Sequence, residues 1–144
     1  MRDPHTKTLV VLLATLMGAA VACSGGDGTD GPTVEVALSD FELTVAPDSI
    51  APGAVTFAAS NEGPTTHEFE IFSGAQDVDL DALPIEDDVA DTGGLTLVDE
   101  VEDVTPGSTA ELSVTLDPGT YAIVCNLPEH YAQGMHATLE VAEA

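Results

Sequence analysis

Beyond Lys7 the 144-residue chain contains neither lysine nor arginine. Arg2 and Lys7 stand against 26 aspartates and glutamates, giving a formal net charge of -24. Nucleic-acid binding needs basic side chains to neutralise phosphates, and a basic patch is needed to hold anionic lipid. This composition excludes both. Tryptophan is absent and aromatic residues make up only 4% of the chain, so a core must come chiefly from Val, Leu, Ile and Ala. Two cysteines are too few for a disulfide framework. The longest apolar run, from Leu9 to Ala22, falls short of the roughly 20 residues that span a bilayer. Even so, 44% of the residues are hydrophobic, more than a disordered chain carries.

The first residues have the build of an export signal. Arg2 and Lys7 precede the apolar run, and Ala20-Val21-Ala22 precedes Cys23. Val21-Ala22-Cys23 resembles the lipobox of bacterial lipoproteins. That resemblance implies an exported protein that begins at a diacylated Cys23 and is held on the extracytoplasmic face of a membrane, in the periplasm or at the cell surface. Residues 1–22 then form the lipoprotein signal peptide. Residues 23–32, rich in Gly, Ser and Asp, form a flexible tether, and 33–144 form one domain. A lipidated Cys23 also leaves Cys125 without a disulfide partner. An unpaired thiol in an exported protein is most simply a metal ligand or a reactive group.

The domain reads as β-strands. Val34, Val36 and Leu38 alternate with polar or small residues, and Phe41, Leu43 and Val45 alternate in the opposite phase, so Ser39-Asp40 marks a bulge or bend. Val55-Phe57-Ala59, His67-Phe69-Ile71, Ala110-Leu112-Val114-Leu116, Tyr121-Ile123-Cys125 and Met135-Ala137-Leu139-Val141 follow, several of them divided by Pro/Gly turns. The expected fold is all-β, an antiparallel β-sandwich. Residues 74–104 hold 11 of the acidic residues together with Pro84 and Gly93-Gly94. They read as a long acidic connection with a short helical turn, lying over one side of the sandwich. Asp77 to Asp81 resembles the start of a calcium loop, but Ala82 stands where that loop needs glycine and Asp88 where it needs glutamate.

The segment from Tyr121 to Met135 carries the chemistry. It contains C-x4-H-x4-M between two strands, as Cys125, His130 and Met135. A thiolate with imidazoles selects copper or zinc, and two histidines, one cysteine and a weak axial methionine make the blue-copper set. Strand parity supplies the second imidazole. His67 shares the inward phase of Phe69 and Ile71, Cys125 that of Tyr121 and Ile123, and Met135 that of Leu139 and Val141. His136 has the opposite phase and is expected to face water. The metal set is therefore His67, Cys125, His130 and Met135.

These residues resemble the cupredoxins, the small blue-copper proteins, from the first strand through N-x-G-x-x-x-H at Asn61, Gly63 and His67 to the closing strand. The C-x4-H-x4-M spacing is most similar to the rusticyanin and sulfocyanin branch. The resemblance implies a Greek-key β-sandwich with one Cu(I)/Cu(II) ion near one end, and a role in shuttling single electrons between redox proteins. It departs at Glu68, where many members carry Asn or Ser directly after the first histidine. Asn61 is placed to brace the ligand loops from the other side.

Leu127, Pro128, Tyr131 and Ala132 around His130 are expected to form an apolar patch on which redox partners dock. No general base is evident, so an enzyme is not expected. Two other readings fit less of the sequence. A copper carrier or scavenger tends to expose several Met or His, and residues 23–144 hold a single Met. A metal-free interaction module would leave the thiol without a role. Adaptation to a saline or alkaline exterior and steering toward a basic redox partner both account for so acidic a surface.

Overall fold

The computed structural model describes residues 31–143. The signal segment 1–22, Cys23 and the tether as far as Asp30 lie outside them. Eleven strands dominate: β1 (Thr33–Ser39), β2 (Glu42–Ala46), β3 (Ser49–Ile50), β4 (Gly53–Asn61), β5 (His67–Ser73), β6 (Ile85–Glu86), β7 (Val89–Ala90), β8 (Thr96–Val104), β9 (Thr109–Leu116), β10 (Gly119–Val124) and β11 (His136–Val141). Leu80–Ala82 and Tyr131–Gln133 are single 3-10 turns. Among the described residues no helix is long and apolar enough to cross a membrane.

Two sheets face each other, ordered β2-β1-β4-β9 and β3-β11-β10-β5-β8, and the chain crosses repeatedly between them. The period-two pattern explains the packing. Val34, Val36 and Leu38 of β1, Val55, Phe57 and Ala59 of β4, Phe69 and Ile71 of β5, and Ile123 of β10 are all buried in one core. Phe57 and Phe69 meet across it with ring centroids 6.3 Å apart. The sandwich differs from the expected one in strand direction. β1 runs parallel to β4, with Leu38 opposite Asn61, and β11 runs parallel to β3. The sheets are therefore mixed rather than purely antiparallel. Of the bulge or bend expected at Ser39-Asp40, the structure has the bend: Asp40-Phe41 is a two-residue turn joining β1 to the antiparallel β2.

The acidic stretch 74–104 is more ordered than a connection. Thr96–Val104 is β8, the edge strand paired with β5 through two register shifts. Its positions are nearly all exposed, and it carries Asp99, Glu100, Glu102 and Asp103. Charges of this kind keep a free sheet edge from pairing with another chain. The β6–β7 hairpin turns at Asp87-Asp88, both with positive φ, as a tight two-residue hairpin requires. Residues 75–95 form the expected cover. Ala75, Leu80 and Ala90 pack with Phe72, Ala122, Val124 and Tyr131 in a second cluster on the outer face of the five-stranded sheet. β10 is consequently buried on both faces.

Candidate metal centre

Three ligand-bearing residues converge where β5, β10 and the loop after β10 end. His67 opens β5, Cys125 directly follows β10, and His130 lies in the loop leading to β11. The two Nδ1 atoms are 3.2 Å apart, and Cys125 Sγ is 3.4 Å from His130 Nδ1. One ligand atom from each of the three residues falls within 4.8 Å of the others. His67 and Cys125 have no exposure, whereas His130 is partly exposed with its ring edge-on to Phe41. Met135 is also fully buried. Its carbonyl accepts from the Cys125 N–H at 3.0 Å, and its own N–H donates to the His130 carbonyl at 3.3 Å. Gly134, at φ 107°, makes the left-handed step that ends the 3-10 turn and brings the chain back to Met135.

Burial governs the protonation of these donors. It pushes the Cys125 thiol up, and the nearby backbone of Glu68 and Leu127 acts against that rise. Burial, then the neighbouring His67, lowers the His130 imidazole, which favours its neutral, ligating form. Two ring nitrogens and a sulfur facing one another at these distances need a proton or a metal among them. Two nitrogens that share an ion at about 2.0 Å stand roughly 3 Å apart, close to the spacing of this pair. The donor set, soft sulfur with two imidazoles, fits one copper ion.

A cupredoxin-like domain family model matches residues 8–136 of the sequence. The chain belongs to the cupredoxin-like family. Solved structures share the fold of this cupredoxin. Dithionite-reduced auracyanin from Roseiflexus castenholzii is 22% identical at a TM-score of 0.55, covering 81% of this chain and 100% of its own. Auracyanin A of Chloroflexus aurantiacus, described as a blue copper protein, is 21% identical at 0.51, covering 77% and 99%. Rusticyanin of Thiobacillus ferrooxidans is 21% identical at 0.52, covering 78% and 79%. No curated protein matches the sequence.

Residues around the cupredoxin site hold its loops together. Asn61 is 2% exposed and braces as expected. Its Nδ2 donates to the carbonyls of Thr65 at 2.7 Å and Val104 at 2.8 Å, and its Oδ1 accepts from the Gly63 N–H at 2.9 Å. Burial raises the carboxyl of Glu68, the departure from the family pattern, and the nearby Asn126 backbone acts against that rise.

The cover of the outer face clamps the ligand loop. Tyr131 Oη donates to the Leu80 carbonyl and accepts from the Leu83 N–H. Asn126 exchanges two hydrogen bonds with the backbone of Ala90, and Glu129 N–H donates to the Asp88 carbonyl at 2.8 Å. Tyr131 is thus buried beneath the cover instead of lining a surface patch beside His130. His136 points away from the core, but its side chain is only 15% exposed because it lies against the Tyr131 ring. Strand parity gives the face and does not reveal that a further layer covers it.

Sequence reasoning passed over Asp40, reading it only as a bend. Its Oδ1 lies 2.9 Å from His67 Nε2 and accepts from Thr65 Oγ1 at 2.7 Å. The Thr65 hydroxyl, then His67, holds the Asp40 carboxyl below its usual value.

Glu70, on the outer face of β5, has a carboxyl pushed up to about 7, first by burial and then by Glu68, Glu100 and Glu102. Its buried Oε2 has no hydrogen-bond partner. The raised pKa makes the folded state hold a proton that the unfolded chain has released. The contribution of Glu70 to stability is therefore greatest below about pH 4.5 and falls as pH rises through about 7. Glu70→Gln is expected to raise the melting temperature of the metal-free protein at pH 8 and to leave it unchanged at pH 4. For a half-exposed group the gain is about 1 kcal/mol. Equal melting temperatures at pH 8 would refute it.

Proposed function

We propose that this cupredoxin is a mononuclear type 1 copper protein that carries single electrons, and that His67, Cys125, His130 and Met135 would hold the ion. The convergence of two imidazole Nδ1 atoms and one thiol within 4.8 Å carries the reading. Bound copper supplies a one-electron Cu(I)/Cu(II) couple. The chain's residues do the rest. His67, Cys125 and Met135 are sealed from water, and the backbone bonds among Cys125, His130 and Met135 keep the donors from spreading when the ion's charge changes. His130, partly exposed beside Phe41, Leu127 and the exposed Pro128, offers the route to redox proteins that dock there. No nucleophile–base pair is needed for this work, so the reading is that of a carrier and not of an enzyme. Lipidation at Cys23 would hold it outside the cytoplasm, on the extracytoplasmic face of a membrane.

The test is a titration of residues 24–144 with Cu(II), followed by visible absorption. An intense thiolate-to-copper charge-transfer band that saturates at one equivalent is expected. Weak absorption characteristic of nitrogen and oxygen ligation alone would overturn the reading.

A further inference from the structure

The charge beside the buried histidine is a side-chain carboxylate, where a neutral backbone carbonyl would have served to orient the ring. We propose that Asp40 is a positioning residue for the copper centre: its carboxylate fixes His67 with the proton on Nε2 and the lone pair on Nδ1, and its negative charge favours Cu(II) over Cu(I). The proposal rests on the reading of His67 as a ligand.

Asp40 is placed by several independent contacts. Leu38 O accepts from the Glu62 N–H at 2.8 Å, fastening the β1–β2 turn to the loop before His67. Thr65 Oγ1 donates to the same Asp40 oxygen that faces His67 Nε2. Gly63 makes room for both. A Cβ there would lie 2.7 Å from Asp40 Oδ1, 3.0 Å from Asp40 N and 3.0 Å from Ser39 Cα. Asn61 holds Gly63 and Thr65 in turn. The carboxylate oxygen therefore sits in a space that a glycine leaves open.

The chemistry follows from that placement. An ionised carboxylate only accepts, so the hydrogen on the 2.9 Å contact belongs to His67 Nε2. Nδ1 is then left as the donor atom, and it is the nitrogen that faces His130 Nδ1 and Cys125. Outer-shell carboxylates of this kind fix the tautomer and make the imidazole a stronger base. Asp40 stands at the surface, but its side chain is only 18% exposed and its partner His67 is fully buried, so water screens the charge only in part. Cu(II) carries one more positive charge than Cu(I), and a fixed anion nearby stabilises it more. The reduction potential is therefore lower than the same ligand set would have without Asp40.

Two variants separate charge from hydrogen bonding. Asp40→Asn keeps an oxygen that can accept from His67 and Thr65 but removes the charge, and Asp40→Ala removes both. In the copper-loaded protein, Asp40→Asn is expected to move the potential in the positive direction with the visible band retained. Asp40→Ala is expected to lower Cu(II) affinity by about 10-fold or more, with a smaller change for Cu(I). In the metal-free protein, nitrogen NMR should show His67 in the Nε2–H form in wild type and Asp40→Asn, and in a mixture of tautomers in Asp40→Ala. An unchanged or lowered potential in Asp40→Asn overturns the electrostatic role. A wild-type His67 protonated on Nδ1 overturns the positioning role. A wild-type chain without the thiolate band removes the ligand reading and this proposal with it. A normal band with an unshifted potential removes only the electrostatic role of Asp40 and leaves the ligand reading standing.

Discussion

Cys125→Ser will remove the intense visible band of the copper-loaded protein entirely, leaving at most the weak absorption of nitrogen and oxygen ligation. The sulfur is the donor whose charge transfer gives such a centre its colour, and no second thiol exists among the described residues to replace it. Copper affinity should fall by more than the roughly 10–100-fold typical of outer-shell changes, because a ligand itself is lost. The fold should survive. Serine is slightly smaller, and its hydroxyl would lie, like the thiol, beside the backbone of Glu68 and Leu127. Circular dichroism and thermal melting of the metal-free variant serve as the control. Persistence of the band at full intensity in a folded variant would exclude Cys125 from the centre.

The second large effect is expected at Asn61. Truncation to alanine leaves the Thr65 and Val104 carbonyls and the Gly63 N–H without the partners they have now. Buried polar groups left unpaired cost about 1–3 kcal/mol each, less where water reaches them, as at Thr65. A total loss of about 3 kcal/mol follows, on the order of 10–15 °C in melting temperature for a domain of this size. Asn61→Asp, which keeps the acceptor for Gly63 and loses the two donations, should fall between. Melting within about 2 °C of wild type for Asn61→Ala would show that the loop is held by other bonds.

The parts of this fold that were legible in the sequence are those written in a period of two. Val34-Val36-Leu38, Val55-Phe57-Ala59 and Phe69-Ile71 announce both a strand and the face it buries, and the same rule put His67, Cys125 and Met135 inside. Parity says nothing about neighbours, so the parallel pairings of β1 with β4 and β11 with β3 were hidden. It fails for an edge strand whose exposed positions carry charge, which is why β8 read as connection. It is also silent on turns. Asp40 meets a histidine 27 residues away through a turn position that has no face to declare. Its one available signal was a carboxylate opposite a glycine-containing loop before a histidine. Tyr131 and Asn126 were missed for a related reason, since their partners are backbone atoms of the cover and no side-chain pattern marks them.

The direction of β1 gives the molecule two poles. Thr33 pairs beside Thr56, while Leu38 lies beside Asn61 and the next turn carries Asp40 to His67. At about 3.3 Å per residue, the described chain thus enters roughly 20 Å from the end that holds the ligands. Whatever precedes Thr33 attaches to the pole opposite His130. A lipid at Cys23 would tether the domain by its far end and leave the exposed histidine edge clear of the attachment point. The leash and the electron port would not compete for the same surface, and a soluble carrier could reach His130 without first displacing lipid.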